Sequence, residues 1–107
     1  MKFEFEDLKT TFEVPDRPTR RQVLRYDDAT DPYIGRVSGM GMYERLWAGV
    51  CVIATNWQSE YVPALNADVL DGEYSQDDKT LDVVKMAGLA VFGHMRRLNE
   101  EVAPPNS

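Results

Sequence analysis

The sequence has few of the residues from which catalytic and metal sites are usually built. It contains one cysteine and one histidine, Cys51 and His94, among 107 residues. A single cysteine excludes an internal disulfide, and the two residues cannot supply the ligands of a structural zinc site. A Cys51–His94 nucleophile pair needs an electropositive, partly exposed cysteine, and Cys51 lies inside an apolar run. We therefore expect no enzyme activity, no cofactor and no metal.

Long apolar runs and phosphate-binding loops are missing as well. The longest apolar run, 46–54, has nine residues, well short of the roughly 20 that span a bilayer. The first residues, MKFEFEDLK, lack the apolar core of a signal peptide. The segment GMGMYE at 39–44 lacks the third glycine and the lysine of a phosphate loop. The sequence predicts a cytoplasmic protein with no membrane partner.

The charge balance is acidic. Lys and Arg total 12 against 18 Asp and Glu, which gives a formal charge of −6. This sign disfavours binding to phosphate backbones, so we expect no nucleic acid partner. The chain length fits one domain, which we place at residues 1–102. Residues 103–107 contain Pro104 and Pro105 and are predicted to be a disordered tail.

The N-terminal segment shows the two-residue alternation of half-buried strands. Phe3 and Phe5 alternate with charged residues, and Phe12 and Val14 alternate with polar ones. Residues around 7–9 connect the two segments. This pattern predicts a β-hairpin whose aromatic face lies against helices or another chain.

A short helix is predicted next. Pro15 ends the second strand, Asp16 is the expected N-cap, and the helix runs from about Pro18 to Tyr26 or Ala29. Residues 27–41 are predicted to be irregular, because Asp, Gly and Pro interrupt any helical period. The aspartates in that segment do not have the spacing of a calcium loop.

A cluster of arginines accompanies this helix: Arg17, Arg20, Arg21 and Arg25. Two interpretations remain open. The arginines form a solvated surface that pairs with carboxylates of the same chain. The candidate carboxylates are Glu6, Glu13, Asp27 and Asp28. Alternatively, the cluster is a docking surface for an acidic partner.

The central segment, Met42 to Tyr61, is predicted to be one helix that ends before Pro63. Trp47 and Trp57 are expected in the core, since both follow its apolar spacing. The last helix has apolar residues or glycine at steps of three and four, at 81, 84, 88, 91, 95 and 98. This is the seam of a helix pair, and glycine is tolerated there where a neighbouring helix comes close.

These predictions define the fold class as α+β: an N-terminal β-hairpin followed by a short helix and two longer packed α-helices. Both long helices are apolar on more than one side, which a single small domain does not require. Surplus apolar surface usually marks a contact with another protein. We therefore expect a homo-oligomer.

Three strings of this sequence stand out together: PTRRQVLRY at 18–26, MYERLWAGVCVIATNW at 42–57 and VVKMAGLAVFGHMRRL at 83–98. They resemble a family of small proteins encoded in the tail-morphogenesis region of long-tailed bacteriophages. The chain is thus similar to a phage tail assembly chaperone. The resemblance implies a non-catalytic protein in the host cytoplasm that binds the tape measure protein and tail tube subunits.

Six residues are predicted to contact a protein partner. Arg20, Arg21 and Arg25 are the expected polar contacts, and Trp47, Val91 and Phe92 are the expected apolar contacts. Other functions remain open: a structural tail or connector subunit of the virion, a small inhibitor of a host defence protein, or an enzyme in which Cys51 and His94 share a pocket.

Overall fold

The computed structural model describes the backbone of residues 1–101 and the side chains of residues 1–96. The chain has an α+β fold, as predicted, in which a three-stranded antiparallel sheet packs with three helices. The tail predicted at 103–107 lies outside the described residues.

The N-terminal hairpin is present, as predicted. Strands β1 (Lys2–Phe5) and β2 (Thr10–Glu13) pair antiparallel, with Phe3 opposite Phe12. A 3-10 helix, Glu6–Leu8, connects the strands and ends at Lys9, whose φ of 47° is left-handed. Phe12 is fully buried, so the alternation correctly marked the face of the sheet that covers the core.

Helix α1 (Arg20–Thr30) begins later than predicted, and its N-cap is Thr19 rather than Asp16. The Thr19 hydroxyl accepts the backbone N–H of Gln22, and the Gln22 side chain accepts the N–H of Thr19. This reciprocal capping box satisfies two free N–H groups at once. The Asp16 carboxylate instead lies 2.7 Å from the N-terminal ammonium.

Helix α2 (Gly39–Ile53) is shifted from its predicted position, because the helix predicted from Met42 to Tyr61 was wrong at both ends. The chain leaves the helix at Ala54 and forms strand β3 (Thr55–Ser59), which pairs with β2. A free edge of β2 offers backbone hydrogen bonds to this segment, and Thr and Trp favour extended structure. Segment 27–41 is also more helical than predicted, with a 3-10 helix at Asp31–Tyr33 between α1 and α2.

Helix α3 (Thr80–Glu101) follows a connection that contains a 3-10 helix, Ala67–Asp71. The predicted seam is buried at Val84, Gly88, Val91 and Met95. A Cβ on Gly88 would lie 2.5 Å from the Cβ of Leu46. The two long helices therefore pack against each other, and glycine at position 88 allows their close approach.

An aromatic cluster joins the sheet to α2. Phe12 stacks at a tilt on Phe3 and Trp57, with ring centroids 5.2 and 5.3 Å apart, and Trp57 contacts Trp47 at 5.5 Å. The rest of the core is aliphatic and is supplied mainly by α2 and α3. The domain therefore has one continuous core, with α1 packed on the side of α2.

Candidate protein-binding surfaces

One side of α1 carries an exposed surface of arginines. Arg20, Arg21 and Arg25 are exposed, and Leu24 lies among them with 62% of its surface accessible. The opposite side of the helix packs on the core through Tyr26, whose ring contacts Gly49 of α2. We call Arg20, Arg21, Leu24 and Arg25 the arginine face. Leu24 lies beside Arg20 and Arg21, because residues three and four positions apart share one side of a helix.

The arginine face has no ionic partner within residues 1–96. The ion pairs that this part of the chain contains are Met1–Asp16, Lys2–Glu4 and Lys9–Glu60. The predicted pairing of the arginines with Glu6, Glu13, Asp27 or Asp28 therefore does not form. Glu13 instead accepts a hydrogen bond from the side-chain amide of Asn56. Within this part of the chain, no carboxylate neutralises the charge of the arginine face.

The position of these arginines does not favour the helix itself. Arg20 and Arg21 occupy the first turn of α1, which contains no acidic residue. The first turn is the positive end of the helix dipole, where a cation is unfavourable by a few tenths of a kcal/mol. Neither the helix dipole nor an ion pair within residues 1–96 thus accounts for the positive charge at this site.

The structure places the three predicted apolar contact residues differently. Trp47 and Val91 are each 1% exposed, so both are core residues and neither reaches a partner of the folded chain. Trp47 is held there by its indole N–H, which donates to the carbonyl oxygen of Asn66 at 2.7 Å. Phe92 is 36% exposed and lies on the surface.

Phe92 belongs to an open hollow of about 190 Å³ between α1, α2 and α3. Val37, Leu46 and Leu89 line it together with Phe92. The Arg45 guanidinium lies 5.8 Å from the centre of the Phe92 ring, a cation–π contact. The surface around Phe92 is therefore apolar with a basic edge. Val37, which is 78% exposed, was not predicted as a contact residue, because it lies outside any periodic segment of the sequence.

Cys51 and His94 do not form a catalytic pair. Cys51 is half-buried, and burial raises the pKa of its thiol from 9.0 to about 11, which suppresses the thiolate. It lines a groove of about 550 Å³ beside the 3-10 helix Ala67–Asp71, and His94 is not among the groove residues. The His94 ring is buried, and its Nε2 donates to the carbonyl oxygen of Pro15 at 2.9 Å. Histidine here fastens α3 to the end of the hairpin.

Among residues whose side chains are described, no group of three or more His, Cys, Asp or Glu is placed to hold a metal ion. Over the same part of the chain, no helix has the length and apolarity needed to cross a membrane. Comparison of the chain with protein-family models, curated protein sequences and solved structures finds no match.

Proposed function

We propose that this chain is a non-catalytic binding protein that holds an acidic segment of another protein on its arginine face. One observation carries the proposal: three arginines surround an exposed leucine on α1, and no carboxylate within residues 1–96 pairs with them. Guanidinium groups bind carboxylates through two parallel hydrogen bonds. Leu24 adds an apolar contact at the centre of the charged surface.

The charge distribution supports the same conclusion. The whole chain has a formal charge of −6, so the arginine face is a basic island on an acidic protein. Such a pattern orients an incoming acidic segment toward one surface and repels it from the rest. Electrostatic attraction of this kind accelerates association at low ionic strength, and it weakens as salt screens the charges.

Within this class, we propose the role of a phage tail assembly chaperone in the host cytoplasm. The support is the resemblance of segments 18–26, 42–57 and 83–98 to that family. The first of these segments includes the whole arginine face. The proposed clients are the tape measure protein, whose long helices need cover before assembly, and the tail tube subunits. A chaperone of this kind binds the unassembled client more tightly than the assembled one.

The test is the triple variant Arg20→Glu, Arg21→Glu, Arg25→Glu, co-expressed with a phage tape measure protein as the proposed client. We expect co-purification of the client to fall at least ~30-fold, because several attractive charges become repulsive. The variant should still fold, since Glu in the first turn of α1 is favoured by the helix dipole. Its melting temperature therefore separates lost binding from lost structure.

The matched control is the triple lysine variant at the same three positions. It keeps the charge and loses the bidentate geometry, so we expect partial binding that is more sensitive to salt. Unchanged client binding by the glutamate variant would contradict the role of the arginine face. Presence of the chain in purified virions would indicate a structural subunit. Normal tail assembly after deletion of its gene would favour the host-protein inhibitor.

A further inference from the structure

Helix α3 carries a second row of residues at the spacing of a helix pair, on the side away from the core. Asp82, Met86, Leu89, Gly93 and Arg96 follow one another at steps of four, three, four and three, and we call them the outer row. This spacing stacks side chains along one line of a helix. Met86 and Leu89 are 44% and 47% exposed, and Phe92 borders them. Two turns of this solvent side are therefore apolar.

No contact within the described chain requires glycine at position 93. A Cβ at position 93 would meet no atom within 4 Å, whereas a Cβ at Gly88 would collide with Leu46. Glycine in a helix lowers its stability relative to alanine, and it is tolerated where another chain comes close. At Gly93 no described atom lies that close, and the open space lies within the outer row, between Leu89 and Arg96.

The two charged residues of the outer row lie at equal distances on either side of Leu89 and have opposite signs. Asp82 lies seven residues before Leu89 and Arg96 lies seven residues after it, and both are exposed. The two are about 21 Å apart along one helix, too far for contact within it. When two copies of the row run antiparallel with their Leu89 residues opposed, each Asp82 meets the Arg96 of the other copy. The row is thus complementary to itself under a two-fold axis.

We propose that the outer row binds the outer row of a second copy of this chain, antiparallel and centred on Leu89. In that arrangement Met86 packs on the second copy's Phe92. The aliphatic part of Lys85 lies over the second copy's Gly93, where the missing side chain leaves room. The pairing involves α3 and leaves the arginine face of α1 open, so it does not depend on the proposed function.

The contact is small. Two helices that meet through a few apolar side chains bury less than the surface of a standard interface. We therefore expect a dimer that forms at micromolar to tens of micromolar concentration and dissociates on dilution.

The first experiment measures self-association of the full chain by sedimentation equilibrium. Leu89→Glu sets two carboxylates against each other on the two-fold axis and should weaken the dimer about 100-fold or more. The matched control is Met40→Glu, since Met40 is 64% exposed on α2 and lies outside the row. It should leave association unchanged. A wild-type chain that stays monomeric at several hundred micromolar, or a Leu89→Glu variant that still dimerises normally, would overturn the proposal.

A charge exchange tests the antiparallel register. Asp82→Arg alone and Arg96→Asp alone each set like charges against one another and should weaken the dimer about tenfold. The double variant restores opposite charges between copies and should recover most of the affinity. Thermal melting of each variant checks that the monomer remains folded. Failure of the double variant to recover would exclude this register. Normal client binding by the Leu89→Glu variant would show that the arginine face and the outer row act independently.

Discussion

The ring of Trp57 meets the ring of Trp47 edge to face, with centroids 5.5 Å apart and planes at 71°. Each indole also donates a 2.7 Å hydrogen bond to a backbone carbonyl in the connection that follows β3. Trp47 donates to Asn66, and Trp57 donates to Val62. The pair therefore fixes α2, strand β3 and the connection to α3 as one unit, although the connection has no long element of its own.

Replacing Trp47 with Phe should lower the free energy of unfolding by about 2 kcal/mol. The substitution leaves the carbonyl of Asn66 without its donor and leaves part of a fully buried site unfilled. Urea unfolding measured by circular dichroism checks this value. The control is Tyr74→Phe, a position 70% exposed, where a change below about 0.5 kcal/mol is expected. Equal stability of the two variants would mean that the indole bond contributes nothing.

Alanine at the two glycines of α3 should act in opposite directions. At Gly88 the added Cβ would lie 2.5 Å from the Cβ of Leu46 and 3.3 Å from its carbonyl carbon, so the helices must separate. We expect a loss of about 1–3 kcal/mol in the free energy of unfolding. At Gly93 the added Cβ meets open space, and a gain of about 0.5–1 kcal/mol is expected. Denaturant midpoints at low protein concentration compare the two, and a shift of the same sign in both would refute this packing.

Alkylation of Cys51 should be slow in the native chain. Because burial raises the pKa of the thiol from 9.0 to about 11, the thiolate fraction at pH 8 falls about 100-fold. Iodoacetamide labelling followed by mass spectrometry should show this delay relative to the chain in urea. The native rate should climb about tenfold per pH unit until pH 11.

The same pKa shift links Cys51 to alkaline stability. Folding favours the neutral thiol, so this contribution is fully present below pH 9 and declines as the pH rises toward 11. Cys51→Ala should flatten that part of the stability profile. A native labelling rate that equals the urea rate at pH 8 would contradict both expectations.

Several elements were predictable because their signals are local. The alternation of Phe3 and Phe5 and of Phe12 and Val14 indicated the hairpin before any partner was known. The seam of α3 likewise predicted burial at Val84 and Val91, since helical geometry puts residues three and four apart on one side. The arginines of α1 also lie close together in the sequence, so they were identified as a candidate binding surface before the structure was known.

Strand β3 was not predictable from those signals. The spacing of Val50, Ile53 and Trp57 fits a helix, and nothing in the composition of 54–59 opposes one strongly. The decisive interactions are hydrogen bonds to β2, between residues more than 40 positions apart. Burial of Trp47 and exposure of Leu24 were also set by contacts between elements. Helical spacing groups residues into rows but does not say which row faces the core.

The sequence by itself determined the α+β class, the hairpin, the seam of the last helix and the sign of the charge on α1, because each depends on residues close in the chain. Only the tertiary structure decided where α2 stops and that Arg20, Arg21 and Arg25 have no ionic partner within residues 1–96. It also decided that α3 keeps a second apolar row in solvent. Those properties depend on contacts between segments that are distant in the chain. Such contacts decide which side of each helix is buried against the core and which side stays exposed.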